Sequence, residues 1–188
     1  RLMNKGVIYY TRIREGYQNA HLEHMIGDKL LETALKQERN IKLSEEPRGV
    51  GEHGKPFLSY RPGVHYNISH SGACVVCVLA DQEVGIDIQI HRTVNYDRML
   101  RRMVTEKERE EILKRPDLEQ EFFRQWVMRE AFIKWTGEGL SRDLRKIPEK
   151  EGICRFLNLP EKEKGYSCAL WSADPMEITW KYADIILG

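Results

Sequence analysis

The chain lacks any apolar run near the roughly 20 residues that a bilayer-spanning helix needs, so none of its 188 residues is expected to cross a membrane. Charge of one sign is equally scarce. Thirty Lys and Arg stand against 29 Asp and Glu, a formal charge of +1. No global field then favours DNA or an anionic membrane, no nucleic-acid partner is expected, and electrostatic recognition must be local. The start, Arg1-Leu2-Met3-Asn4, has no long apolar core of the secretory kind, so the expected location is cytoplasmic. Arg1 and Leu2 precede Met3 and carry no functional argument.

Cysteine is sparse too: Cys74, Cys77, Cys154 and Cys168. Cys74-x-x-Cys77 lies within Ala73-Cys-Val-Val-Cys-Val-Leu79, which reads as a buried strand. Residues three apart on a strand face opposite ways, and no second pair follows at zinc-finger spacing. These cysteines are expected to be small buried hydrophobes. There is no Gly-x-Ser-x-Gly elbow, no internal repeat and no low-complexity segment.

What is present is ordinary in bulk and specific in detail. Apolar residues make up 41% and charged residues 31% of the chain, and this length supports a substantial core. Val7 to Tyr10 reads as a strand. Leu22, Ile26, Leu30, Leu31, Ala34 and Leu35 recur with helical period from Asn19, a candidate cap, to about Arg39. Pro47 to Gly51 and Glu52 to Pro56 read as turn-rich loop. Three strand-like runs follow, Val64 to Ser69, Ala73 to Ala80 and Val84 to Ile90. The second half is helical from Thr105, a capping box, to before Pro116, and again from Leu118 to about Trp135, stopped by Gly137 and Gly139. After Lys150 come strand-like runs at Ile153 to Leu157, Tyr166 to Ser172 and Met176 to Ile186. The fold class is α+β, expected as two lobes, residues 1–84 and 85–188, meeting near residues 81 to 92 with the site in the cleft between them.

Three segments set polar groups in apolar frames. In Val84-Gly-Ile-Asp-Ile-Gln-Ile90, strand alternation puts Gly85, Asp87 and Gln89 on one face, with Gly85 leaving room for a ligand. A carboxylate beside an amide oxygen suits Mg²⁺; the same segment alone is equally a strand with one wet face. In Trp126-Val-Met-Arg-Glu-Ala-Phe-Ile-Lys134, Glu130 and Lys134 are one helical turn apart. They are either a surface ion pair or, amid so many aromatics, buried groups that need a metal and a phosphate. In Asn67-Ile-Ser-His-Ser-Gly72, Ser69, His70 and the amides near Gly72 are candidates for phosphate oxygens. Lys55, in Gly54-Lys-Pro-Phe57, is either a phosphate contact or a solvated loop lysine.

Taken in order, Gly54-Lys55-Pro56, Asn67 to Gly72, Gly85 to Gln89 and Trp126 to Lys134, with Gly137-Glu-Gly-Leu140 continuing the last, resemble the Sfp-type 4′-phosphopantetheinyl transferases over roughly residues 20 to 140. The resemblance implies two similar α+β lobes related by pseudo-twofold symmetry. It implies Mg²⁺-dependent transfer of phosphopantetheine from coenzyme A to a serine of an apo acyl or peptidyl carrier protein, releasing 3′,5′-adenosine bisphosphate. Asp87 and Glu130 would hold the metal with Gln89 beside them, Glu130 would deprotonate the serine, and Lys134 would balance phosphate charge. Lys55, Ser69 and His70 would hold the nucleotide end, with His53 and Gly54 against the adenine.

Two positions depart from the family pattern. Gln89 stands where many members have Glu, which predicts weaker or water-mediated metal binding. Glu23 stands where larger members carry an arginine for the 3′-phosphate, with His21 and His24 as substitutes. Carrier proteins are typically acidic, and Tyr96 to Met103 offers Arg98, Met99, Arg101, Arg102 and Met103 as a basic, apolar patch for one; the same spacing is that of a helix with its Met and Leu in the core. Two other readings remain open: a coenzyme A-binding module with little catalysis, and a metal-dependent phosphohydrolase.

Overall fold

The computed structural model describes residues 4–14, 16, 18–139, 142–147, 151–160 and 165–186. Met3, Leu140 and Lys150 lie outside them.

The core is organised around β5 (Cys74–Ala80), a seven-residue strand buried at every position. Its alternate residues enter two different cores, which is why a continuous apolar run, rather than an alternating one, is needed here. Val75, Cys77 and Leu79 join Tyr9 and the apolar stripe of α1 (Ala20–Arg39), namely Ile26, Leu30, Leu31, Ala34 and Leu35. Cys74, Val76 and Val78 join Ile8 and face Ile86, Ile88, Cys168 and Leu170 of a second sheet. Cys74 and Cys77 thus point into opposite cores, and all four cysteines are free thiols.

The first sheet has the order β4 (His65–Ser71), β5, β1 (Asn4–Arg12), β9 (Met176–Tyr182). The second has the order β6 (Val84–Ile90), β8 (Tyr166–Ser172), β7 (Ile153–Leu157). On the far side of the second sheet lies α4 (Leu118–Thr136), whose Val127, Ala131 and Phe132 pack on Ala169 and Trp171. The layers therefore run α1, first sheet, second sheet, α4. A smaller core of Leu100, Met103, Ile112, Phe122 and Phe123 gathers α2 (Tyr96–Met103) and α3 (Glu106–Leu113) against α4.

Local signals act as the sequence suggests. Asn19 caps α1 by accepting the Leu22 N–H at 3.0 Å, and Thr105 accepts the Glu108 N–H at 3.3 Å. Gly137, at φ 74°, ends α4 in the left-handed conformation that glycine tolerates. Two features were not anticipated. The turn-rich loop contains a short hairpin, β2 (Arg48–Val50) against β3 (Pro56–Leu58). The last strand, β9, pairs in parallel with β1 in the first sheet. Among the described residues no helix is long and apolar enough to cross a membrane.

Candidate active site

The two sheets are joined at their edges by side chains rather than by a backbone ladder. Asn67 Oδ1 accepts the Ile86 N–H at 2.8 Å, Ser69 Oγ the Ile88 N–H at 3.1 Å and Ser71 Oγ the Ile90 N–H at 2.9 Å. Alternate residues of β4 thus dock on alternate residues of β6. Small hydrogen-bonding side chains are required because a larger residue would hold the strands apart. This assigns Asn67, Ser69 and Ser71 a structural task that the sequence alone did not reveal.

The docked strand presents Gly85, Asp87 and Gln89 to α4. The room expected at Gly85 is taken by the helix: a Cβ there would lie 2.2 Å from the Ala131 carbonyl oxygen and 2.3 Å from the Trp135 nitrogen. Gly85 therefore lets α4 approach β6 rather than making space for a ligand. That approach brings Glu130 and Lys134 to Asp87. Lys134 Nζ donates to the Ile68 carbonyl at 2.7 Å. Its pKa is lowered, chiefly by burial, against the opposing pull of Asp87 and Glu130.

Asp87 has one oxygen served and one orphaned. The Ser69 hydroxyl donates to Oδ1 at 3.4 Å, whereas Oδ2 is buried without a hydrogen-bond partner. Burial pushes the Asp87 carboxyl up to about 7, with the neighbouring Glu130 charge adding to the rise and Lys134 and Ser69 opposing it. The Glu130 carboxyl is raised as well, again mainly by burial. Two half-buried carboxylates, one with an orphaned oxygen, and one lysine leave a place that a hard cation would satisfy. Gln89 donates its amide N–H to the Ile90 carbonyl at 3.2 Å, so its oxygen is the atom it has to offer a ligand. Among the described residues no three His, Cys, Asp or Glu side chains form a metal-holding group. Mg²⁺ takes one or two carboxylates when phosphate and water complete its shell, so this donor set fits that ion and not an all-protein cage.

Two clefts meet at this centre, and Ile133 lines both. The first, of about 560 Å³, collects His53, Gly54, Lys55 and His70, four of the five residues expected at the nucleotide end, together with Lys134, expected on the phosphates; Ser69 does not line it. It also contains Arg48 and Tyr66, which sequence reasoning missed, since one lies in an unforeseen hairpin and the other within a run read only as a strand. His70 Nδ1 pairs with Glu23 at 3.1 Å, and Arg48 pairs with Asp28 at 3.0 Å. Lys55 is less free than a phosphate contact should be. Its ammonium reaches the Val84 carbonyl at 2.9 Å, the Trp135 carbonyl at 3.1 Å and Glu83 at 2.6 Å. An ammonium has three protons, so Lys55 acts here as a bolt between the β2–β3 hairpin, β6 and α4. Ser69 is likewise engaged with Asp87 and Ile88. Gly72, at φ 58°, forms the β4–β5 turn, where the neighbouring Ala73 N–H donates to the Tyr166 hydroxyl at 3.0 Å.

The second cleft, of about 590 Å³, opens on Glu130 and is lined by Met99, Arg101, Arg102, Met103, Trp126, Arg142 and Arg145. Arg98, Arg101 and Arg102 are exposed and Met99 half-buried. Met103 is not part of an exposed patch: it is 0% exposed and packs with Leu100 in the α2–α4 core. An eight-residue helix has to seat some of its apolar residues to hold its place, and these two do so. Arg142 and Arg145, beyond the expected segment, pair with Glu138 and Asp143 at 3.1 Å.

Comparison with known proteins gives this geometry its context. A family model described as the 4′-phosphopantetheinyl transferase superfamily matches residues 83–174. A 4′-phosphopantetheinyl transferase of Bacillus subtilis is 30% identical over 174 residues, covering 84% of this chain and 76% of its own. The 4′-phosphopantetheinyl transferase psf-1 of Bacillus pumilus is 36% identical over 155 residues, covering 80% and 66%. An L-aminoadipate-semialdehyde dehydrogenase-phosphopantetheinyl transferase of Xenopus laevis is 31% identical over 152 residues, covering 71% and 48%. With its two sheets, docked helix and shared carboxylate centre, the chain belongs to the 4′-phosphopantetheinyl transferase superfamily.

Proposed function

We propose that this protein transfers 4′-phosphopantetheine from coenzyme A to a serine hydroxyl of an apo acyl or peptidyl carrier protein, releasing 3′,5′-adenosine bisphosphate. One observation carries the reading. Glu130 and Lys134, one turn apart on α4, open onto different clefts while both act on Asp87. A two-substrate transfer needs this arrangement, with each substrate entering by its own route and the reacting atoms meeting at the shared wall.

Coenzyme A occupies the cleft of His53, Gly54, His70 and Lys134, with its pyrophosphate against Lys134. The carrier serine enters beside Glu130, in the cleft of Met99, Arg101 and Arg102. Glu130, whose proton affinity burial has raised, accepts the serine proton as oxygen attacks the β-phosphorus, an effect typically worth about 10²–10⁴-fold. Lys134 offsets charge on the pyrophosphate as the bridging oxygen departs. Asp87 and Glu130, with Gln89 beside them, would hold Mg²⁺, which would supply further charge neutralisation at the phosphates. Lys55 and Ser69 support the site from behind, Lys55 by fastening the hairpin and Ser69 by orienting Asp87. The lobes of residues 1–84 and 85–188, with β9 crossing back to the first sheet, and a cytoplasmic location belong to the same proposal.

The test is to incubate the protein with coenzyme A, Mg²⁺ and an apo carrier protein, then weigh the carrier by mass spectrometry. A gain of one phosphopantetheine, lost with EDTA and in Glu130→Ala, is the expected result. Coenzyme A binding with no gain on any carrier would favour a binding module. Phosphate release without a carrier would favour a phosphohydrolase.

A further inference from the structure

The cleft assigned to coenzyme A has an unusual charge pattern for a site that must hold a nucleotide carrying an extra phosphate. The α1 wall contributes two carboxylates, Glu23 and Asp28, and each is close to the basic groups facing it. His70 lies 3.1 Å from Glu23. Arg48 lies 3.0 Å, and His24 4.0 Å, from Asp28. The two lysines lining the cleft are also engaged, Lys55 by Glu83 and two carbonyls and Lys134 by the Ile68 carbonyl. The same cleft that contains Lys134 is lined by Glu23, His24, Asp28, Arg48, Tyr66 and His70, the residues left to face the ribose.

We infer that this ribose subsite does not select for a 3′-phosphate, so that 3′-dephospho-coenzyme A serves as a phosphopantetheine donor on a par with coenzyme A. The inference rests on the transferase reading above. A 3′-phosphate is a dianion that only accepts hydrogen bonds. At Arg48 or His70 it must share the cation with a carboxylate already paired there, and that carboxylate faces it as a like charge. A free 3′-hydroxyl both donates and accepts. It can donate to Asp28 or Glu23, whose carboxylates line the cleft. The chemistry balances without a further reactant. The carrier serine oxygen forms a bond to the β-phosphorus, the bond from that phosphorus to the bridging oxygen breaks, AMP departs with that oxygen, and the serine proton is released.

The experiment compares kcat/KM for coenzyme A and for 3′-dephospho-coenzyme A on one apo carrier with saturating Mg²⁺. The expected ratio is below about ten, and Glu23→Arg, which removes one carboxylate and adds a free cation, should raise it at least about tenfold. A wild-type ratio of about ten or more overturns the inference while leaving the transferase reading intact. Turnover of neither donor overturns that reading and this inference with it. Calorimetric titration with AMP and with adenosine 3′,5′-bisphosphate gives a second readout independent of turnover and of any variant. Comparable affinities are expected, and a clear preference for the bisphosphate counts against the inference.

Discussion

Asn67 fixes Ile86: the side-chain oxygen of the first accepts the backbone N–H of the second at 2.8 Å, inside the protein and across the joint between the two sheets. The register of that bond decides which residues of β6 face α4, and hence that Asp87 meets Glu130 and Lys134. Asn67→Ala leaves the Ile86 N–H buried and unsatisfied, which should cost about 1–3 kcal/mol. Urea unfolding measures it. An unchanged midpoint and slope would mean that the ladder does not hold the sheets together.

The pH dependence of stability follows from Asp87. Its carboxyl is raised from 3.8 to about 7 by burial, so the folded protein binds this proton more tightly than the unfolded chain does. A group of that kind stabilises fully below its unfolded pKa and loses its contribution as pH rises through the folded value. The metal-free protein should therefore weaken between about pH 4 and pH 7, and Glu130 acts in the same direction. Asp87→Asn cannot ionise, so its stability relative to the parent should grow across that window. Added Mg²⁺ should restore the parent in proportion to the logarithm of its concentration. Unfolding curves at several pH values test both, and a parallel pair of profiles would show that Asp87 titrates as an exposed carboxyl.

Gly85 gives a steric prediction. A methyl group there would overlap the α4 backbone at Ala131 and Trp135, atoms that cannot rotate away. Gly85→Ala should lower stability by about 1–3 kcal/mol, the usual range for forced overpacking, and reduce turnover by moving Glu130 and Lys134 from Asp87. Thermal unfolding and carrier-labelling rates report the two effects. Wild-type values for both would show that the helix can retreat freely.

How far the sequence revealed this architecture depended on whether the signal was local. β6 and β8 match their expected spans, and α1 and α4 do so to within a residue or two, because hydrophobic period and capping residues are properties of neighbours along the chain. The polar residues of the carboxylate centre were legible as motifs, but their tasks were not. Gly85 read as room for a ligand, Ser69 as a candidate phosphate contact and Lys55 as a phosphate contact or a solvated loop lysine, and all three are engaged by other parts of the chain: a helix backbone, the Ile88 N–H with Asp87, and two carbonyls with Glu83. Those contacts link residues up to 80 positions apart, a separation that no local pattern encodes. The pairing of β9 with β1 was invisible for the same reason.

Gln89 bears on how the charge of the centre is set. With a neutral amide here, the centre carries two carboxylates rather than three. Gln89→Glu adds the third and should tighten Mg²⁺ binding, lowering the concentration needed for half-maximal rate by about tenfold, since a charged ligand interacts far more strongly at a site with reduced water. A magnesium titration of carrier labelling settles the point. Superimposable curves would place Gln89 away from the metal.

The cleft beside Glu130 carries the last prediction. Arg101 and Arg102 are exposed at its rim, with Met99 half-buried on the same cleft and the Leu100–Met103 core beneath. An acidic carrier would approach along this field, and rim charges act mainly on association rate and on its salt dependence. Double charge reversal, Arg101→Glu with Arg102→Glu, should raise KM for the carrier by about tenfold or more and flatten the dependence of kcat/KM on ionic strength, because a fixed attraction has become a repulsion. The KM for coenzyme A should stay within about twofold, since the cleft proposed for that substrate lies on the other side of Ile133. A carrier KM that does not move would take these two arginines out of the interface and shift attention to Arg142 and Arg145 on the same cleft.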